Sequence, residues 1–255
     1  MRAALRRYRR LARWQQGLLA LAGLLGAAGG GFVALTLYSQ AQSNSTRVIQ
    51  RWFSDPQSRP GLITEQRTPC PGAPFLLPSS GLIGLLWRDT AFPYNRLHRH
   101  TGIDIFGDGE TGTVPVYAAY EGWLTRLPEW RASVIIRHND PLQPGRTIWT
   151  YYTHMASRDG NTSYISDAFP PGTREIWVEQ GTLLGYQGEY SGQALAPVGM
   201  HVHVSIVLSE PDGSFKNEAR LRNTLDPSPY FGMPLNIAGK PARPIRCQST
   251  GAAAY

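Results

Sequence analysis

Between residues 94 and 210 the apolar positions of the chain follow the pattern of β-strands. Short runs rich in β-branched and aromatic residues, bounded by turn residues, are typical of strands. In the run 147–155, for example, alternation places Ile148, Tyr152 and His154 on one face. Such runs predict strands at 114–124 (two strands around a turn), 133–138, 147–155, 175–178, 181–186 and 201–208. The pattern therefore predicts a mainly β domain.

The N-terminal part has a different pattern, in which apolar residues run on without a charge. Residues 17–37 carry no charged side chain and would span about 31 Å as a helix, enough for a bilayer core. The arginine-rich segment before them favours a cytoplasmic N-terminus and an extracytoplasmic body. We therefore expect a basic cytoplasmic tail (1–16), a transmembrane anchor or uncleaved signal (17–37), a stem (38–69), a body (70–235) and a C-terminal tail (236–255). The alternative is a signal peptide cleaved near Ala41, which would leave a secreted protein.

Helical signals elsewhere are brief. Prolines recur from residue 56 to residue 78 and preclude a long regular element there. A short helix is expected over 47–53, with the domain boundary near residue 70, and a second short helix over 217–223.

The net charge does not point to a nucleic-acid partner. The chain has 25 basic and 18 acidic residues, a formal charge of +7. Six of the arginines lie within the first 13 positions, which leaves 19 bases against 18 acids, or +1, for the rest. The basic character thus belongs to the N-terminal tail, and we expect no binding of nucleic acid.

Cys70 and Cys247 are the two cysteines of the chain. If the body lies outside the cytoplasm, they could form a disulfide between the start of the body and its C-terminal end. The alternative is a pair of unrelated thiols, and the sequence alone leaves both readings open.

Histidines and one aspartate carry the candidate chemistry. On an extended strand, His201 and His203 emerge on the same face, while Val202 and Val204 point to the other. His100 and Asp104 form a second group about a hundred residues earlier. Imidazole and carboxylate ligands suit zinc, and a catalytic zinc has three protein ligands with one open position.

Four short motifs occur in order along the body. They are His100-Thr101-Gly102-Ile103-Asp104, the segment 112–122 (GTVPVYAAYEG), Tyr152-Thr153-His154 and His201-Val202-His203. In order and separation, over residues 90–230, they resemble the M23 family of zinc metallopeptidases, the lysostaphin or LytM type.

The resemblance implies an antiparallel β-sheet core and assigns Zn²⁺ to His100, Asp104 and His203. His154 and His201 become the catalytic pair outside the metal shell, with His201 expected as the proton shuttle and His154 as the partner of the developing oxyanion. The implied function is a membrane-anchored, extracytoplasmic zinc metalloendopeptidase that cleaves peptide cross-links or bridges of bacterial peptidoglycan. Zinc-activated water would attack the peptide carbonyl with the two histidines assisting.

The sequence departs from the family pattern at two places. Residues 196–200 (APVGM) stand where many relatives have Ser-Thr-Gly-Pro. His98 stands where many carry an arginine, and we expect it at the rim of the site rather than on the metal. The loops at 139–147 and 157–173 are expected to border the cleft.

The alternative function is a non-catalytic M23-like module that activates a cell-wall amidase or scaffolds an envelope complex. Such modules typically lack one or more metal ligands, whereas this chain retains all three and both catalytic histidines. Other hydrolase signatures are missing from the sequence: it contains no H-E-x-x-H and no G-x-S-x-G, and neither cysteine lies near a histidine motif.

Overall fold

The computed structural model describes residues 15, 18, 21–27, 29–31, 33, 43–65 and 68–248. The chain divides into two compact units, which separate between residues 43 and 44. In the first unit, residues 21–27 and 29–31 are helical. Among the described residues, no helix is long and apolar enough to cross a membrane. The other positions of the predicted tail and anchor lie outside the described residues.

The second unit is built mainly from short strands. In chain order, its described elements are α1 (Asn44–Ser54), β1 (Leu82–Ile83), β2 (Ile103–Phe106), β3 (Pro115–Tyr117), β4 (Gly122–Thr125), β5 (Val134–Asn139), β6 (Thr147–Thr153), β7 (Ile176–Val178), β8 (Leu183–Tyr186), β9 (Val202–Leu208), β10 (Thr224–Leu225) and α2 (Ser228–Phe231). Turns of 3₁₀ helix occur at Pro56–Gly61, Leu221–Asn223 and Ile237–Gly239.

Eight of these strands form one antiparallel sheet. Their order is β1-β2-β9-β6-β5-β4-β7, and β10 also pairs with β9. β3 and β8 form a separate two-stranded antiparallel sheet. The mainly β, antiparallel architecture expected from the sequence is therefore confirmed. The strand β9 lies between β2 and β6, which explains why nearly all of its side chains are buried.

The strand predictions hold better than the helix predictions. Each predicted strand is present, although the run 147–155 ends at Thr153, because the next residue has a positive φ and turns the chain away. The hydrophobic pattern of the sequence does not predict β2. The helix predicted at 217–223 is reduced to one 3₁₀ turn, whereas α1 extends beyond 47–53 at both ends.

The central strands have an apolar face and a polar face. Alternate residues on one side form the main core, which includes Ile103, Ile105, Ile136, Ile148, Tyr152, Val202, Val204 and Ile206. The intervening residues Asp104, Thr153 and His203 therefore lie on the opposite face. His203 pairs in register with Asp104 on one side and with Thr153 on the other. The sheet thus sets a row of polar side chains on a firmly packed apolar layer.

Segments expected to be a stem and a tail pack against the body. Trp52 of α1 is only 1% exposed and lies in a cluster with Leu62, Leu82 and Phe106. At the other end, Ile245 is buried in the main core, and Arg243 donates hydrogen bonds to the carbonyls of Ile83 in β1 and of Gly84 just after it. The described residues from 44 to 248 therefore belong to one compact unit.

A disulfide joins Cys70 and Cys247. Cys70 is buried in the main core, and Cys247 packs against it. Of the two readings that the sequence left open, the structure shows the bridge.

Candidate metal centre

Three predicted ligands converge at the ends of β2 and β9. His100 lies just before β2, and its Nδ1–H donates to the carbonyl of Leu86 at 3.0 Å. Because Nδ1 carries the proton, Nε2 presents a lone pair. Asp104 and His203 are brought beside it by the register of the two strands. The polar face of the sheet therefore assembles two segments that lie about a hundred residues apart.

The three ligand atoms form a tight triangle. His100 Nε2 lies 3.0 Å from Asp104 Oδ1 and 2.9 Å from His203 Nδ1, and these last two atoms are 2.9 Å apart. All three residues are buried. The lone pair of His100 Nε2 faces a carboxylate oxygen, and the two repel each other. A cation between the donor atoms would remove this repulsion. Two imidazole nitrogens and one carboxylate oxygen fit zinc, so this group could hold a metal ion.

The charge state of the triangle also suits a cation. Burial acts to raise the pKa of Asp104, but the surrounding imidazoles of His100, His201 and His203 act in the opposite direction and outweigh burial. They hold the pKa of this carboxyl well below its ordinary value. Asp104 is therefore ionised and supplies a negative charge to the cluster.

His154 and His201 stand beside the triangle with a common arrangement. Nδ1–H of His154 donates to the carbonyl of Tyr190 at 2.7 Å, and Nδ1–H of His201 donates to that of Gly199 at 2.6 Å. The ring centroids are 4.4 Å apart. Each ring therefore keeps an unprotonated Nε2, and that of His201 lies 3.7 Å from Asp104 Oδ2.

Both of these imidazoles are held neutral. Burial, followed by the influence of the neighbouring His201 imidazole, lowers the pKa of His154 to about 3. Burial also lowers the pKa of His201, against the opposing effect of Asp104. His154 has a φ of +76°, a region that a non-glycine residue seldom occupies and that often marks functional sites. The pair consists of two fixed proton acceptors next to the metal centre.

A cleft of about 390 Å³ opens over this centre. His154 and His203 line it, together with Tyr94, His98, Thr101, residues 129–133, Tyr151, Thr153, residues 190–192 and residues 218–219. The loop 139–147 does not line it, contrary to expectation. The loop 157–173 contributes no lining residue, but its Gly160 packs against Tyr190 of the wall. The loop 139–147 joins β5 and β6 at the end of the sheet away from Thr153. There, Asp140 and Arg146 hydrogen bond with Tyr230.

Two cleft residues were not identified from the sequence. The ring of Tyr94 lies 4.8 Å from that of His100, and burial, followed by the charges of Asp104 and Glu218, raises the pKa of its phenol. Tyr94 therefore stays protonated and can donate a hydrogen bond. Glu218 Oε2 lies 4.0 Å from His203 Nε2. His98 stacks on Tyr94 at the rim, as expected, and is not one of the three converging ligands.

No family model matches the sequence, and a search of curated proteins finds no match. Solved structures similar to this chain include Csd3 from Helicobacter pylori, at 18% identity and a TM-score of 0.36. A second is the antimicrobial peptidase lysostaphin from Staphylococcus simulans, at 23% and 0.34. A third is the catalytic domain of the prophage-encoded M23 protein EnpA from Enterococcus faecalis, at 25% and 0.30.

These matches cover parts of the molecules. The match with Csd3 covers 57% of this chain and 34% of Csd3. The match with lysostaphin covers 55% of this chain and 45% of lysostaphin. The match with the EnpA domain covers 48% of this chain and 78% of that domain. This chain thus spans less than half the length of the first two. Likenesses at these TM-scores assign no activity, which has to rest on the side chains.

Proposed function

We propose that this protein is a zinc metalloendopeptidase of the M23 type that cleaves peptide cross-links or bridges of bacterial peptidoglycan. The observation that carries the proposal is the meeting of five residues from three separated motifs. His100, Asp104 and His203 converge as ligands, and His154 and His201 stand beside them with free acceptor nitrogens. A structural metal site would not require that second pair.

The mechanism follows from the positions of the side chains. Zn²⁺ held by the triangle would supply Lewis acidity and lower the pKa of a bound water to about 7. His201 is buried beside Asp104, which suits it to accept a proton and pass it to the leaving amine. His154 lines the cleft, and we assign it to the developing oxyanion, whose negative charge would favour uptake of a proton from solvent on Nε2.

The residues that line the cleft also support a proposal for the kind of substrate. They include the aromatic residues Trp130, Tyr151 and Tyr190, which flank the donor cluster and can hold an extended chain by its backbone. Small side chains let a peptide backbone approach a recessed centre closely. Glycine- or alanine-rich peptides of the bacterial wall have this character, and we propose them as the substrate.

We also propose that the body works outside the cytoplasm, tethered by residues 17–37. The charge-free run and the arginines before it support this placement. The Cys70–Cys247 disulfide supports it as well, because disulfides persist in oxidising compartments.

The proposal is tested with the full chain and purified peptidoglycan, by mass spectrometry of the released fragments. We expect fragments with newly exposed peptide termini, their loss with a zinc chelator, and their return when zinc is added back. His100→Ala should lose both zinc and activity. His154→Ala and His201→Ala should keep zinc but lose about 10²–10⁴-fold in rate, the usual contribution of a positioned acid or base.

Two results would contradict the proposal. One is zinc-loaded protein that releases no fragments from several types of cell wall, which would favour the non-catalytic module. The other is full activity of both His154→Ala and His201→Ala, which would leave the proposed pair without a role.

A further inference from the structure

Two buried side-chain atoms in the described part of the chain have no hydrogen-bond partner, and one of them belongs to a candidate metal ligand. They are His203 Nε2 and Ser205 Oγ, on the same face of β9 and two residues apart. His203 directs Nδ1 into the ligand triangle, so the ring proton belongs on Nε2. A buried N–H without an acceptor is unfavourable. The environment of His203 therefore calls for an acceptor on the side away from the ligands.

Glu218 is placed to be that acceptor. Its Oε2 lies 4.0 Å from His203 Nε2 and accepts a hydrogen bond from the Thr101 hydroxyl at 3.4 Å. Thr101 belongs to the same short segment as the ligands His100 and Asp104. Among the described residues, no lysine or arginine lies within ion-pair distance of Glu218. The carboxylate thus stands between the two segments that carry the ligands.

The loop that carries Glu218 is held on both sides. Before it, Lys216 N–H donates to the carbonyl of Leu208 at 2.9 Å, and Phe215 packs on Trp149. Around it, Asn217 Oδ1 accepts from the backbone N–H of Ala219 at 2.9 Å. The position of Glu218 is therefore set by these contacts of its loop.

We propose that Glu218 is a positioning residue of the metal centre, which accepts a hydrogen bond from His203 Nε2–H when the metal is held by Nδ1. Metal-bound histidines commonly donate their second N–H to a carboxylate, which fixes the ring and raises its basicity as a ligand. A small rotation of the Glu218 side chain would shorten the 4.0 Å between its Oε2 and His203 Nε2 to the length of a normal hydrogen bond. With Asp104, Glu218 also brings the charge around a divalent ion to zero. This inference rests on the metal site of the proposed function.

The test compares Glu218→Ala and Glu218→Gln with Glu210→Gln in the full chain. Glu210 lies in the same connection, is exposed, and faces Lys216 at 4.0 Å. The zinc dissociation constant is measured by competition with a chromophoric chelator, and the Co²⁺-loaded protein gives an absorption spectrum of the ligand geometry. We expect Glu218→Ala to bind zinc about 10–100-fold more weakly and to show a changed Co²⁺ spectrum. Glu218→Gln should bind zinc more weakly by a smaller factor, and Glu210→Gln should match the wild type.

Zinc affinities of both Glu218 variants within twofold of the wild type would overturn the proposal. So would a higher KM for peptide at unchanged zinc affinity, which would make Glu218 a substrate contact. If Glu218→Ala does not fold, the near-isosteric Glu218→Gln still decides the question. Because the readout is metal affinity, a wild type that binds zinc but cuts no wall would end the proposed function and leave this inference standing. A wild type that binds no zinc would end both.

Discussion

His138 is a buried histidine that belongs to the packing of the fold. It lies on β5, where its Nδ1–H donates to the carbonyl of Glu121 and its Nε2 accepts from the Thr150 hydroxyl, both at 2.7 Å. Burial lowers the pKa of its imidazole to about 4 from 6.5. Its neutral form is therefore the one that the folded protein requires.

This gives a pH-dependent contribution to stability. As the pH falls, His138 binds a proton in the unfolded chain before it does so in the folded protein. The contribution of its neutral imidazole to the free energy of unfolding is therefore fully present above pH 6.5 and is lost between pH 6.5 and about 4. A shift of this size is worth about 3 kcal/mol. The free energy of unfolding of wild type minus that of His138→Gln should therefore shrink by about that amount between neutral pH and pH 4, as measured by urea titration. A difference that does not change with pH would show that the imidazole is not held neutral.

Single residues also show how far the sequence leads. The five motif residues could be identified because zinc and proton transfer restrict the residue types, and the structure brings all five together. Tyr94 and Glu218 could not be identified, since neither lies in a motif with a chemical requirement. Glu218 reaches His203 from a loop beyond β9, and its relevance depends on a tertiary contact.

Among the elements, α1 shows most clearly how local pattern and packing differ. Its sequence predicts a short helix, but not that Trp52 fills a pocket with Leu62, Leu82 and Phe106. Similarly, β2 is only four residues long and contains Asp104, so alternation does not reveal it. Its identity as a strand comes from pairing with β9, a partner about a hundred residues away.

The packing of α1 leads to a test of its place in the body. Trp52→Ala removes a side chain that is 1% exposed and should lower the free energy of unfolding by about 3–5 kcal/mol. Gln50→Ala, at an exposed position of the same helix, is the matched control and should change it little. Denaturant unfolding measures both. Equal stability of the two variants would mean that α1 is a separate stem.

At the scale of the whole molecule, one covalent link closes the body. Cys70 and Cys247 are separated by 177 positions, and the chain-entropy model gives a bridge over such a loop about 5 kcal/mol, an upper value. Replacing both cysteines by serine should therefore lower the thermal midpoint markedly. Adding a reductant should lower the midpoint of the wild type towards that of the variant. A wild type and a double variant that melt together under oxidising conditions would contradict this expectation.

The bridge also has a topological consequence. Every residue from 70 to 247 belongs to a closed covalent ring, which includes the five residues of the candidate centre. Asn161 and Thr162 are exposed in a loop. A single backbone nick between them would open the ring without dividing it, so both pieces would still migrate as one molecule in a non-reducing gel. The ligands from the early segment and from β9 would stay tethered to each other after such a cut. In the presence of proteases, the bridge would therefore keep the assembled site together.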